Sequence, residues 1–230
     1  SAASDVYKRQ TPAHIQSISD AVKAHTPKER AHIAPKTIIT SRTKLLELGH
    51  HTKPLIIGER INPTGRKVLA QELRDGSFIR VKRDALDQVE AGADILDVNM
   101  GVAGMDQSPL MERAIFDLSM LVETPLSIDT LDPVAMEIAL KNYPGRALIN
   151  SVNGEEESIT HVMPLAKRYG AALLCLPICS GDLPEKAEDR VALAESIVNR
   201  AYGYGLHPHD LLLDPLVLTL ASGEDSARQT

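Results

Sequence analysis

From Leu55 onward, short runs of consecutive apolar residues alternate with longer stretches in which apolar residues recur every three or four positions. The runs predict strands beginning near Leu55, Ile95, Leu126, Ala147, Ala172 and Leu211. The spaced stretches predict helices over residues 78–91, 109–122, 133–141, 158–169 and 186–202. A strand that is apolar on successive residues has both faces covered, as in a parallel sheet flanked by helices. Gly92 and Gly170 stand where helix C-terminal glycines belong, because glycine enters the left-handed region without a Cβ clash. Strand–helix alternation of this kind predicts an α/β fold.

Five of the apolar runs end in an acid or an amide: Ile57-Gly58-Glu59-Arg60-Ile61-Asn62, Leu96-Asp97-Val98-Asn99, Ser127-Ile128-Asp129, Leu148-Ile149-Asn150 and Leu212-Leu213-Asp214. Parallel strands place their C-terminal ends on one side of the sheet, so these side chains converge on one polar face. A complete eight-unit barrel takes about 250 residues, roughly 30 per unit. About six such units fit between Leu55 and Thr230, which leaves two architectures open: a doubly wound open sheet, or a barrel cut short.

Residues 1–54 follow a different pattern. Thr11-Pro12-Ala13-His14-Ile15 predicts a helix entry, with Thr11 capping and Pro12 in the first turn. The helix is expected to run to about Ala24, with Ile15, Ile18 and Val22 on one face. Residues 26–54, rich in Lys, His, Thr and Pro, read as a linker with a short helical turn at Leu45–Leu48.

Composition narrows the functions. A net charge of −6 and 3% aromatic residues argue against a nucleic-acid surface, which needs a basic face or stacking platforms. No apolar stretch approaches the roughly 20 residues of a membrane span, and the first ten residues lack the apolar core of a signal peptide. The expectation is a cytoplasmic protein with no nucleic-acid or membrane partner. Cys175 and Cys179 lie close together with Pro177 between them and no further ligand nearby, which suits buried strand cysteines better than zinc. His207 and His209 flank Pro208 in a loop and read as solvated. Neither GxGxxG, GxxxxGK[ST] nor G-x-S-x-G is present, so nucleotide binding by those loops and an elbow-type serine nucleophile are disfavoured.

The remaining candidates are the strand-end acids and amides. A carboxylate accepts two hydrogen bonds side by side and so complements a ring N–H next to an exocyclic amine. A carboxamide both donates and accepts, which suits a neighbouring ring nitrogen or carbonyl. Asp129, Asn150 and Asp214 together describe a recogniser of an aminopyrimidinone-type heterocycle. The competing reading is that each merely caps a following helix, as Asp129-Thr130 before Leu131-Asp132-Pro133 could. Glu59-Arg60 could likewise be a local ion pair, and Asp97 a buried acid that orients a helix.

These same runs, in the same order from about Leu55 to Ser222, resemble the pterin-binding barrel of the methyltetrahydrofolate methyltransferases, and within it most closely the folate-binding barrel of cobalamin-dependent methionine synthase. The resemblance implies a TIM (β/α)8-type barrel over residues 55–230, truncated after about six βα units. It implies a pterin site of Glu59, Asn62, Asp97, Asn99, Asp129, Asn150 and Asp214. In it, Asp214 grips the ring N–H and amino group, Asp129 and Asn150 serve the other edge and the chemistry, and Glu59 and Asn62 complete the rim. The implied reaction passes the N5 methyl group of 5-methyltetrahydrofolate to cobalamin on a separate corrinoid domain or protein, within methionine synthesis from homocysteine.

The first 25 residues are similar to the last helix of a preceding homocysteine-binding barrel. The family's zinc-binding cysteine pair would fall just before Thr11. Residues 4–10 contain no cysteine and read as an unrelated junction, so zinc is expected only in the missing homocysteine-binding domain. The family's later Leu-Ser-Asn motif has no counterpart before Thr230, which predicts weak binding and poor catalysis by this chain alone. Three alternatives stand beside this reading. Dihydropteroate synthase shares the Asp, Asn and Asp, but its first-strand and Gly-rich loop signatures are replaced by Glu59-Arg60-Ile61-Asn62-Pro63-Thr64-Gly65 and Asn99-Met100-Gly101-Val102-Ala103-Gly104. The others are a standalone methyltransferase serving a corrinoid protein, and an inactive pterin-binding fragment.

Overall fold

The structure is a computed structural model that describes residues 11–26, 34–181 and 183–217. It divides into two compact units at Ala34 and Pro35. In the first, helix α1 (Pro12–Lys23) begins at Thr11 as expected. The cap is made by His14, whose Nδ1 accepts the Thr11 N–H at 3.1 Å and lies 2.8 Å from Thr11 Oγ1. Ile15, Ile18 and Val22 are all exposed.

The second unit opens with an antiparallel hairpin, β1 (Thr37–Thr40) and β2 (Leu45–Leu48), paired from Thr37↔Leu48 to Thr40↔Leu45. This corrects the expectation of a linker with a helical turn at Leu45–Leu48. Ser41 makes the turn, its Oγ accepting the N–H groups of Thr43 and Lys44. The pairing puts Ile39, Leu46 and Leu48 on one face and Ile38 and Glu47 on the other.

After the hairpin, six strands alternate with helices: β3 (Ile57–Ile61), α2 (Lys67–Arg74), α3 (Ile79–Glu90), β4 (Ile95–Val98), α4 (Ser108–Leu121), β5 (Leu126–Asp129), α5 (Pro133–Asn142), β6 (Leu148–Val152), α6 (Glu156–Tyr169), β7 (Ala172–Cys175), α7 (Ala187–Gly203) and β8 (Leu211–Leu213). All neighbours are parallel and follow chain order, β3-β4-β5-β6-β7-β8. Sequential order excludes the doubly wound arrangement, in which strand order reverses at a switch point. The sheet is the arc of a partial TIM barrel.

The predicted strands and helices fall within two residues of those observed, while α2, with Leu69 and Leu73 buried, was not anticipated. Gly92 and Gly170 take φ of 97° and 63°, as helix termination requires. Cys175 is buried in β7, which pushes its thiol up to about 12. Cys179 lies exposed beyond the strand, contrary to expectation.

Two apolar layers follow from strand alternation. Leu96, Val98, Leu126, Ile128, Ile149 and Leu173 point outward into the core shared with the helices. Ile95, Leu148 and Ala172 point inward and pack against Ile39, with Leu46 and Leu48 beside it, so the hairpin plugs the barrel floor. Polar bonds fix the plug. Thr40 N–H donates to the Arg146 carbonyl at 3.0 Å, and Arg146 N–H donates to Thr40 Oγ1 at 2.8 Å. The Tyr143 hydroxyl donates to the Thr40 carbonyl at 2.9 Å while accepting the Leu126 N–H at 3.1 Å.

Candidate functional site

Along β4 the inward positions read Ile95, Asp97 and then Asn99, so the barrel lining changes from apolar floor to polar mouth within one strand. The ladders carry this layering across the sheet. Asp97 pairs with Ser127, and Asp129 pairs with Asn150. Asp97 and Ser127 therefore form a lower rung, with Asp129 and Asn150 one step nearer the mouth.

Four of the predicted residues come together here. Asn99 Nδ2 donates to Asp129 Oδ2 at 2.9 Å, and its own Oδ1 accepts the Gly101 N–H at 2.8 Å, which fixes that amide's orientation. Asn150 Nδ2 donates to Asp97 Oδ1 at 3.1 Å, reaching from β6 past β5 to β4. Asp97 is 4% exposed. Burial pushes its carboxyl up to about 6, against hydrogen bonds from Ser127 and Asn150 and helped by the neighbouring charges of Asp129 and Glu59. Burial also raises Asp129, opposed by the hydrogen bond from Asn99 and by one shared with Asp97.

Helix capping does not occupy these groups. Asp132 caps α5, its Oδ1 accepting the N–H groups of Val134 and Ala135 at 2.8 and 3.3 Å. Before α6, Asn153 Oδ1 accepts the Glu155 N–H. Asp129 and Asn150 are thereby left facing the barrel mouth. Asn99 occupies Oδ2 of Asp129, and Asn150 presents its Oδ1. Two acceptors on adjacent strands, which lie about 4.8 Å apart, complement two N–H donors along one edge of a flat heterocycle.

The other predicted residues are placed differently. Glu59 is exposed on β3, and its charge reaches Asp97. Asn62 follows β3 and accepts the Thr64 N–H at 2.8 Å in its own turn. Asp214 follows β8 two residues beyond Leu212, the partner of Leu174, which in turn pairs with Asn150. Its Oδ1 accepts the Leu216 N–H at 2.8 Å, and among the described residues no hydrogen bond to its other oxygen is seen. Among the described residues, no hydrogen bond ties Asn62 or Asp214 to the other four.

Ser127 was not anticipated. Its hydroxyl is buried directly across from Asp97 and opposes the rise of that carboxyl. A polar residue at an inward position between Leu126 and Ile128 was the signal available. Beside the mouth, Thr130, Ser151, Asn153, Ser158 and His161 line a cavity of about 320 Å³.

Among the described residues, no group of three or more His, Cys, Asp or Glu is arranged to hold a metal. Residues 4–10 lie outside the described residues. No helix among the described residues is long and apolar enough to cross a membrane.

The chain is 27% identical over 225 residues to methionine synthase from Mycobacterium tuberculosis, and 26% identical over 229 residues to that from Mycobacterium leprae. Each match covers 95% of this chain but 19% of the relative, so the chain spans about a fifth of their length. Among solved structures it resembles dihydropteroate synthase from Xanthomonas albilineans, with a TM-score of 0.61 and 18% identity, covering 86% of this chain and 71% of that one. It also resembles dihydropteroate synthase from Vibrio fischeri, with a TM-score of 0.55 and 19% identity over 80% and 69% of the two chains. These structures share the fold. The family model for pterin binding enzymes matches residues 58–229, well over half of the chain, and the chain therefore belongs to the pterin-binding enzyme family.

Proposed function

We propose that this chain binds 5-methyltetrahydrofolate at the barrel mouth and presents its N5 methyl group to a corrinoid partner, as the folate-binding part of a methionine synthase. The observation that carries the reading is the Asp97–Asn150 and Asn99–Asp129 network at the strand ends, in a chain whose curated relatives are methionine synthases.

In this reading Asp129 and Asn150 hold one edge of the pterin, and the other oxygen of Asp214 holds the ring N–H and exocyclic amine. Glu59 and Asn62 form the rim. The methyl carbon leaves N5 as the N5–carbon bond breaks, and the departing N5 lone pair must take up a proton, because an unprotonated amine leaves poorly. Asp129 is the carboxyl suited to hold that proton near N5, since burial keeps it protonated to higher pH than an ordinary aspartate. Asn150 orients the ring beside it. Cobalamin, on a separate domain or protein, supplies the methyl acceptor when bound. The first 25 residues fit the end of a preceding homocysteine-binding domain, where zinc would reside.

Calorimetric titration of the chain with 5-methyltetrahydrofolate tests the binding step. Asn150→Ala is expected to weaken binding about tenfold, the loss of roughly one hydrogen bond in a desolvated site. Asp129→Asn is expected to retain binding more fully while slowing methyl transfer to cob(I)alamin. Condensation of a pterin with 4-aminobenzoate, or equal binding by wild type and Asn150→Ala, would overturn the reading.

A further inference from the structure

Asp97 was expected to touch the pterin, and its position argues otherwise. Along the ladders it lies one rung below Asp129 and Asn150 and is 4% exposed, with Ile95 beneath it on β4 and Leu148 and Ala172 continuing its own rung. A ligand at the mouth meets Asn150 before Asp97. The contact between the two is the 3.1 Å bond in which Asn150 Nδ2 donates to Asp97 Oδ1.

We propose that Asp97 is a positioning residue: by accepting the Asn150 Nδ2–H it turns that carboxamide so that Oδ1 faces the mouth as an acceptor for a pterin N–H. A carboxamide has nearly the same shape in both of its orientations, and its hydrogen-bond partners alone choose between them. Ionised Asp97 accepts and cannot donate, so it selects the Nδ2-inward orientation. Protonated Asp97 donates from its O–H, which suits Asn150 Oδ1. The amide then turns and offers N–H groups to the mouth, where they oppose the N–H groups of the ligand.

The charged groups acting on Asp97 are Glu59 on β3 and Asp129 on β5, both acidic. From β6 it meets the neutral Asn150, and the hairpin below contributes Ile39, Leu46 and Leu48. The buried hydroxyl of Ser127, across the ladder from Asp97, can follow either protonation state by rotating. The inference rests on the pterin reading for the identity of the ligand and not for the orientation of Asn150.

Two measurements separate those questions. The first titrates the chain with 5-methyltetrahydrofolate from pH 5 to 8, for wild type and Asp97→Asn. Wild-type affinity is expected to fall about tenfold further below pH 6 than that of the variant, which binds weakly and lacks the Asp97 step. A tenfold change is the scale of one hydrogen bond reversed, and comparing the two proteins cancels the ligand's own titration. The second follows the Asn150 side-chain amide by NMR without ligand, expecting a pH-dependent shift near pH 6 in wild type that is lost in Asp97→Asn. Wild-type affinity and pH profile in Asp97→Asn would overturn the proposal, as would an Asn150 resonance that moves identically in both proteins. An Asn150 shift as expected, without wild-type binding at any pH, would uphold the positioning role and reject the pterin ligand.

Discussion

The Tyr143 hydroxyl offers a direct test of how the barrel floor is held. It joins the start of β5 to the hairpin plug, accepting from Leu126 N–H at 3.1 Å and donating to the Thr40 carbonyl at 2.9 Å. Burial raises the phenol to about 12, so it remains a donor throughout the working pH range. Tyr143→Phe keeps the ring and removes the hydroxyl, and nothing replaces either bond. Leu126 is fully buried, so its N–H is left unsatisfied at about 1–3 kcal/mol, while the half-buried Thr40 regains partial hydration and contributes less. The expected loss is about 2–4 kcal/mol. For a chain of this size each kcal/mol lowers Tm by about 2–4 °C, which predicts a fall of roughly 4–16 °C. Urea unfolding should show a lower midpoint with an unchanged slope. Tyr202→Phe, on the exposed side of α7, serves as the control and should stay within about 0.5 kcal/mol of wild type. A Tyr143→Phe protein as stable as that control would refute the argument that this hydroxyl holds the plug.

Other perturbations follow from the same contacts. A Cβ on Gly145 would collide with the Thr40 carbonyl oxygen, so Gly145→Ala should displace the hairpin and cost at least about 1–3 kcal/mol, read by thermal unfolding. Arg146→Ala removes a 2.6 Å ion pair to Asp210 and a 2.9 Å bond to the Gly170 carbonyl, and should destabilise by about 1.5–3 kcal/mol. Asp97→Asn should do the reverse at neutral pH. The native carboxyl titrates near 6 and the unfolded one near 3.8, so wild-type stability falls as pH rises through that window. The variant avoids this and should gain about 1–3 kcal/mol at pH 8, with no gain at pH 4. A gain independent of pH would show that Asp97 is not titrating.

The sheet was legible because its strands are short apolar runs, five of the six bounded by an acid or an amide, and the helices between them keep a spaced apolar face. Those signals are local, and burial on both faces of the strands reinforces them. The hairpin was not legible for the opposite reason. Leu45, Leu46 and Leu48 are compatible with a helical turn, and what makes them a strand is the barrel floor formed by Ile95, Leu148 and Ala172, at least 47 residues downstream. Strand ends marked the polar mouth, yet their spacing could not rank its members. Asp129 could have capped the following helix, yet Asp132, three residues on, caps it while Asp129 faces inward. Asp97 differs from Asp129 by one rung of the ladder, a difference that appears only once β4 and β5 are in register.

The hairpin also bears on the order in which the molecule can assemble. Thr40 bonds to residues 103 and 106 positions later, Tyr143 and Arg146. A two-stranded hairpin alone is marginal in water, so Ile39, Leu46 and Leu48 have no stable place until β4, β6 and β7 exist. During synthesis at about 5–20 residues per second, those partners arrive several seconds after the hairpin has emerged. The floor of the barrel is therefore made early and seated late, and that interval is when its apolar face is open to other chains.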